Sequence, residues 1–253
     1  MQLGFGTGIL YGIQTSDAAG NTVSNGTPVQ FGTLQDISAD ISFETKLLYG
    51  AYQFPIAVGR GKAKFAFKAK FANISGPVLG DLFFGLTRSA GIKAAVNNFS
   101  AAIPTTPFQI TVSPPSSGTF ASDLGVLNAS TGLPLKKVAS GPATGQYSVN
   151  GSGVYTFAAA DTGNTVLINY DYTATSTVSQ NGLITNQLMG YAPTFSALLS
   201  LAFHGKPMTL KLNQCVSDKL TLGLKNDDFL IPEFDFSAFA DSAGNVGYWG
   251  TSE

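Results

Sequence analysis

The run Gly61-Lys-Ala-Lys-Phe-Ala-Phe-Lys-Ala-Lys-Phe71 constrains this chain more than any other stretch. Ala63, Phe65, Phe67, Ala69 and Phe71 share one parity; Lys62, Lys64, Ala66, Lys68 and Lys70 share the other. A period of two marks a strand with one buried and one wet face. Asp40 to Leu48 and Tyr52 to Val58 read as two more extended runs before it. After it, Ser75 can cap a helix, Pro77 suits its first turn and Gly85 its end. Val78, Leu82 and Phe83 give that helix an apolar face. The unit is therefore several strands followed by one helix, which an ordinary α+β core also explains.

Only 11% of the 253 residues are charged, well below the usual quarter. With 29 Gly, 19 Phe and 9 Tyr, the composition favours a β-rich protein. So few charges suit a surface held inside an assembly, or a secreted β protein. A net charge of −1 argues against tight nucleic-acid binding by phosphate neutralisation. Arg60 and Arg88 alone offer a guanidinium fork, and Cys215 alone permits no intrachain disulfide or zinc cluster. Met1 to Ile13 lacks a basic start, which makes it a poor signal peptide, and no apolar run approaches the ~20 residues of a membrane helix. No membrane insertion is expected.

Along the chain, Gly8 to Ile13 and Val29 to Leu34 read as strands around a loop. Asp17-Ala-Ala-Gly-Asn21 recurs almost unchanged as Asp241-Ser-Ala-Gly-Asn245, a tight-turn signature. Residues 86–103 read as loop and short strand. Composition then shifts between Pro104-Thr-Thr-Pro107 and Thr173-Ala-Thr-Ser-Thr177. Short strands are expected at Phe108 to Val112, Leu124 to Leu127, Tyr147 to Val149, Val154 to Phe157 and Val166 to Tyr172, which suggests a small β-sandwich. Beyond 178, Phe195 to Phe203 and Met208 to Leu212 alternate as a hairpin about His204-Gly-Lys-Pro207, and Leu220, Leu222 and Leu224 alternate in a further strand. Pro232 confines the run Phe229 to Phe236 to an edge or irregular strand. The division is a discontinuous domain, 1–103 with 178–253, carrying an inserted domain at 104–177.

Catalytic chemistry is poorly supplied. His204, the only histidine, sits in a turn, and no Gly-x-Ser-x-Gly is present. Gly4-Phe-Gly-Thr-Gly8 opens no helix and lacks the lysine of a phosphate cradle. Asp227, Asp228, Glu233 and Asp235 lack the spacing of a calcium loop, and no tryptophan platform flanks them for glycoside work. They read as solvated charges or as a surface that repels phosphate. Cys215 has no histidine near it in sequence and reads as a small buried or half-buried residue. The lysine row at 62, 64, 68 and 70 reads as a wet strand face without base-stacking aromatics. No enzyme activity, cofactor or metal is expected.

Two blocks resemble the tail tube (major tail) proteins of long-tailed bacteriophages. One runs from Phe43-Glu-Thr-Lys-Leu-Leu-Tyr-Gly through Gln53-Phe-Pro-Ile-Ala-Val-Gly-Arg-Gly-Lys to Ala72. The other runs from Leu222-Gly-Leu-Lys-Asn-Asp-Asp-Phe-Leu-Ile-Pro-Glu to Asp241 and its turn. Asp123-Leu-Gly-Val, Gly145-Gln-Tyr-Ser-Val and Gly153-Val-Tyr-Thr-Phe resemble an inserted decoration-type β domain. The resemblance implies a mainly β fold, a tail-tube-like β-sandwich or barrel with one flanking helix, plus the inserted sandwich. It further implies hexameric rings stacked into a virion tail tube for genome ejection, assembled in the host cytoplasm. Partners would be further copies of the chain, tail initiator, tape-measure and terminator proteins, a sheath if the tail is contractile, and double-stranded DNA in transit. Asp40, Glu44, Asp227, Asp228, Glu233 and Asp235 become candidate channel-lining residues. The alternative is a β-rich adhesin or carbohydrate-binding module.

Overall fold

The computed structural model describes residues 4–73 and 75–252; Met1 to Leu3, Ile74 and Glu253, which the sequence reading also spans, lie outside them. The chain is mainly β with one helix longer than a single turn. In order the elements are β1 (Ile9–Ser16), β2 (Pro28–Gln30), β3 (Leu34–Tyr49), β4 (Pro55–Phe71), helix α1 (Val78–Phe84), β5 (Ser89–Ala90), β6 (Ile92–Ala102), β7 (Gln109–Thr111), β8 (Thr119–Asn128) and β9 (Lys136–Lys137). They continue with β10 (Gln146–Val149), β11 (Val154–Phe157), β12 (Thr165–Ala174), β13 (Gln180–Asn181), β14 (Thr194–Phe203), β15 (Lys206–Thr221), β16 (Glu233–Phe239) and β17 (Gly247–Thr251). Single 3₁₀ turns occupy Pro115–Ser117 and Ala159–Asp161.

Two compact units divide the chain: 1–88 with 182–253, and 89–181. The border therefore differs from 104–177, because β6 pairs along β12 in the second unit. Its apolar residues Ile92, Ala94 and Val96 have one parity, and Phe99 and Ala101 the other, yet all five pack on the same core. An irregularity opposite Ile168 and Tyr170 causes the flip. There Asn98 has φ 57° and its N–H donates to Asn169 Oδ1 at 2.8 Å. An extra residue turns every later side chain to the opposite face, which hides the strand from a parity search.

In the first unit one sheet runs β2-β1-β14-β15-β16-β4-β3, with β17 also on β15. Its terminal strands are joined by residues 31–33 alone. Those residues reach at most about 14 Å, whereas seven flat strands span about 29 Å at ~4.8 Å per step. The sheet must curl until its ends approach. Phe31, at that closure, is fully buried and meets Phe71, Phe195, Phe234 and Phe236 at ring separations of 5.3–6.4 Å.

Helix α1 follows the expected stop signal, with Gly85 left-handed at φ 63°, but its turns are π-wound and Ser75 makes no side-chain cap. Val78 and Leu82 enter the same core. Gly12 on β1 leaves room for Leu82: a Cβ there would lie 2.5 Å from Leu82 Cδ1. Ser217 Oγ donates to the Phe83 carbonyl at 3.2 Å, and Asp81 is chelated by Arg88 at 2.7 and 2.9 Å, so both flanks of the helix are pinned.

Two expectations about the late strands change. β15 is continuous to Thr221, whereas Leu222 and Leu224 are exposed beyond it. β16 is an interior strand between β15 and β4, because Pro232 lies just outside it and removes no ladder hydrogen bond. The repeated turn signature gives one geometry twice. In each copy the aspartate Oδ1 accepts the N–H groups two and four residues on, at 2.8–3.0 Å, and the glycine has φ 82°.

The second unit packs sheet β7-β11-β10-β9 and sheet β6-β12-β8 around one core. Val166, Ile168, Tyr170 and Tyr172 are all buried, as their alternation predicts. Asp123 of β8 ties the two sheets together. It accepts from Tyr147 OH (2.8 Å), Tyr155 OH (3.0 Å) and the Gly125 N–H (3.1 Å), and Lys137 Nζ lies 2.9 Å away.

Candidate assembly interface

The site begins with the hairpin of β3 and β4. β16 pairs with β4 only from Phe65 to Lys70. Residues 55–64 continue past the last of those pairs by about 33 Å at ~3.3 Å per residue, accompanied only by β3. This projecting arm is a two-stranded ribbon with both outer edges free among the described residues.

Its two faces differ. The register puts Ile41, Phe43, Leu47 and Tyr49 beside Phe65, Ala63, Val58 and Pro55. This apolar face continues the core face of the sheet, yet Ile41 is 60% exposed and Val58 66%. At the tip Tyr52 and Phe54 exceed 80% exposure. Arg60 lies over the Phe43 ring at 4.5 Å and shields it. So parity is read correctly over 61–71, but burial starts only at Phe65; Ala63 is exposed because nothing covers it.

The opposite face carries charge. Asp40, Glu44, Glu233 and Asp235 belong to it, together with Asp36, Lys46, Lys64, Lys68 and Lys70. Lys68 approaches Glu233 at 3.8 Å and Asp235 at 4.0 Å, and Lys70 approaches Glu233 at 3.9 Å. The four acids are thus interleaved with lysines, and the face is close to balanced. Asp227 and Asp228 stand apart, in the exposed loop between β15 and β16, where Lys225 lies 3.7 Å from Asp228. The six candidate channel residues therefore form no single acidic surface.

That loop carries a second apolar surface, with Leu222, Leu224, Phe229 and Ile231 exposed. Thr221 pairs with Glu233, and Glu233 with Lys70, so the loop lies at the base end of the hairpin. The arm tip lies beyond the other end of the same sheet. The sequence reading missed this arrangement. The signal available was the pair of alternating runs, 36–47 and 62–71, on either side of an apolar stretch at 47–58.

His204 forms the β14–β15 turn at φ 49° with its ring against Phe203 at 4.2 Å. Cys215 is fully buried, and burial pushes its thiol pKa up to about 12. Arg88 is held by Asp81. Among the described residues no cluster of three or more His, Cys, Asp or Glu could hold a metal ion, and no helix is long and apolar enough to cross a membrane. No protein-family model matches the sequence, and comparison with curated proteins finds no relative.

Proposed function

We propose that this chain is a structural subunit that assembles with copies of itself into stacked rings, in the manner of the tail tube proteins its sequence blocks resemble. One observation carries the reading: a long hairpin arm with free edges and an uncovered apolar face. A lone two-stranded ribbon is marginal in water, and its edges template pairing with another chain. Lateral pairing of arms around a closed ring removes those edges. The two exposed apolar surfaces at opposite ends of one sheet suit head-to-tail stacking, since each ring then covers the loop surface of the next. The nearly balanced charge of the sheet's other face suits the lining of a conduit, because its lysines alternate with carboxylates and offer DNA no purely cationic row. On this reading the rings are six-fold, the tube belongs to a virion tail, the other tail proteins are its partners, and the subunit performs no catalysis.

Negative-stain microscopy tests the proposal. Purified protein should form rings or hollow tubes at high concentration or on addition of a tail initiator complex. The double variant Ile41→Lys with Val58→Lys should stay folded and monomeric under the same conditions. A wild-type chain that is strictly monomeric in both conditions overturns the reading.

A further inference from the structure

The second unit holds a pocket of about 240 Å³, lined among others by Ile103, Asn128, Thr131, Leu135, Asp161 and Asn164. Asp161 is 5% exposed, the one buried charged residue among the described residues. Its backbone ends the 3₁₀ turn at Ala159–Asp161, and its Oδ2 accepts the Gly145 N–H at 2.8 Å. Among the described residues nothing donates to Oδ1. This oxygen is not sealed either, unlike Asp171 Oδ1 and Asp235 Oδ1, which are enclosed without partners. Asp161 is itself one of the residues that line the pocket. A buried carboxylate with one oxygen unmatched costs stability unless something hydrogen-bonds it.

The rest of the lining narrows the occupant. Asn128 Oδ1 is fully engaged, accepting from Ser130 N–H, Ser130 Oγ–H and Thr131 N–H at 2.6–3.2 Å. Its amide Nδ2 therefore remains a donor, and Asn164 offers both a donor and an acceptor, with no side-chain partner among the described residues. The polar groups thus mix donors with one charged acceptor, over an apolar wall. An ammonium group only donates and leaves the amide donors unmatched; an anion is repelled by Asp161; a calcium ion seeks six or more oxygens and usually several carboxylates. Hydroxyl groups that donate to a carboxylate and accept from amides satisfy both sets, and a ring with an apolar C–H face suits the wall. The volume lies below that of a drug-sized ligand, which limits the occupant to about one ring.

We infer that this pocket binds a single pyranose unit of a glycan, with Asp161 Oδ1 accepting from its hydroxyl groups. The inference stands independently of the assembly reading, since every residue it uses lies within 89–181.

The test uses the full chain with labelled methyl groups and a panel of free hexoses and N-acetylhexosamines at millimolar concentration. At least one sugar should shift the methyl signals of Ile103, Leu135 and Val166. Asp161→Asn should weaken that sugar about tenfold. Leu133→Trp, at an exposed position of the rim, should abolish the shifts without touching Asp161, and it decides the matter if Asp161→Asn does not fold. The proposal is overturned if no sugar in the panel moves these signals, or if both variants bind as the wild type does. It is equally overturned if methylammonium or calcium moves them while every sugar is silent.

Discussion

Asp123→Ala tests the polar joint of the second unit. The wild-type carboxylate accepts from two tyrosine hydroxyls, with Tyr155 fully buried and Tyr147 2% exposed. Truncation leaves two phenol groups without an acceptor, at ~1–3 kcal/mol each, and strands Lys137. A loss of ~3–4 kcal/mol follows, in the range for breaking a buried charged network. At ~1.4 kcal/mol per tenfold, the most protected amides of β10, β11 and β12 should exchange about 10²–10³ times faster. Hydrogen exchange read by mass spectrometry resolves those peptides from β14, β15 and β16, whose protection should not change. The triple variant Asp123→Leu, Tyr147→Phe, Tyr155→Phe should recover most of the loss, because no polar group is then orphaned. Acid gives a second readout. Burial alone would raise the Asp123 pKa, but the Lys137 ammonium, the Tyr147 hydroxyl, the Gly125 amide and the Tyr155 hydroxyl outweigh it and hold the pKa below the ordinary value. A depressed folded-state pKa adds stability above the unfolded value of ~3.9, and that stability is lost as pH falls through the folded value. Urea midpoints of the second unit should therefore fall below about pH 4 in the wild type, with a smaller fall in the triple variant. Exchange in Asp123→Ala accelerated less than tenfold would refute this account of the joint.

Three further outcomes are expected. Ser89–Ala90 pairs with Gln180–Asn181, so the chain leaves and returns at neighbouring positions; replacing 89–181 by a short glycine linker should leave the β14–β16 amides protected and tubes visible by microscopy, and loss of the fold would show that the first unit depends on the second. Gly85→Ala should cost about 1–3 kcal/mol in urea unfolding, since the residue has φ 63° and a Cβ would lie 2.5 Å from Pro193 Cβ and 2.7 Å from Ala18 N; an unchanged midpoint would sink the cap argument. Cys215 should resist disulfide reagents in the native protein at about pH 8 and react on unfolding, because burial raises its pKa to about 12; rapid native labelling would contradict its burial.

How far the sequence can be read depends on what each pattern encodes. Val166 to Tyr172 was legible because an unbroken period of two and a closed small core coincide there. β6 was not, because Asn98 reverses its parity midway. Asp161 carried no local signal at all: its partner Gly145 is distant in sequence, and an Asp-Thr-Gly-Asn turn looks like any other. The hairpin arm shows the deeper limit. β4 keeps its alternation on both sides of Phe65, with Ala63 and Phe65 apolar and Lys64 and Lys68 charged. Burial nevertheless begins only where β16 lies alongside, and β16 ends at Phe239. Parity states which face of a strand rejects water. Whether that face becomes core or interface is set by the length of the neighbouring strand, which no window on residues 55–71 contains. The same apolar alternation that fills the core at Phe67 and Phe71 therefore becomes, one neighbour short, the surface on which a second copy of the chain can close.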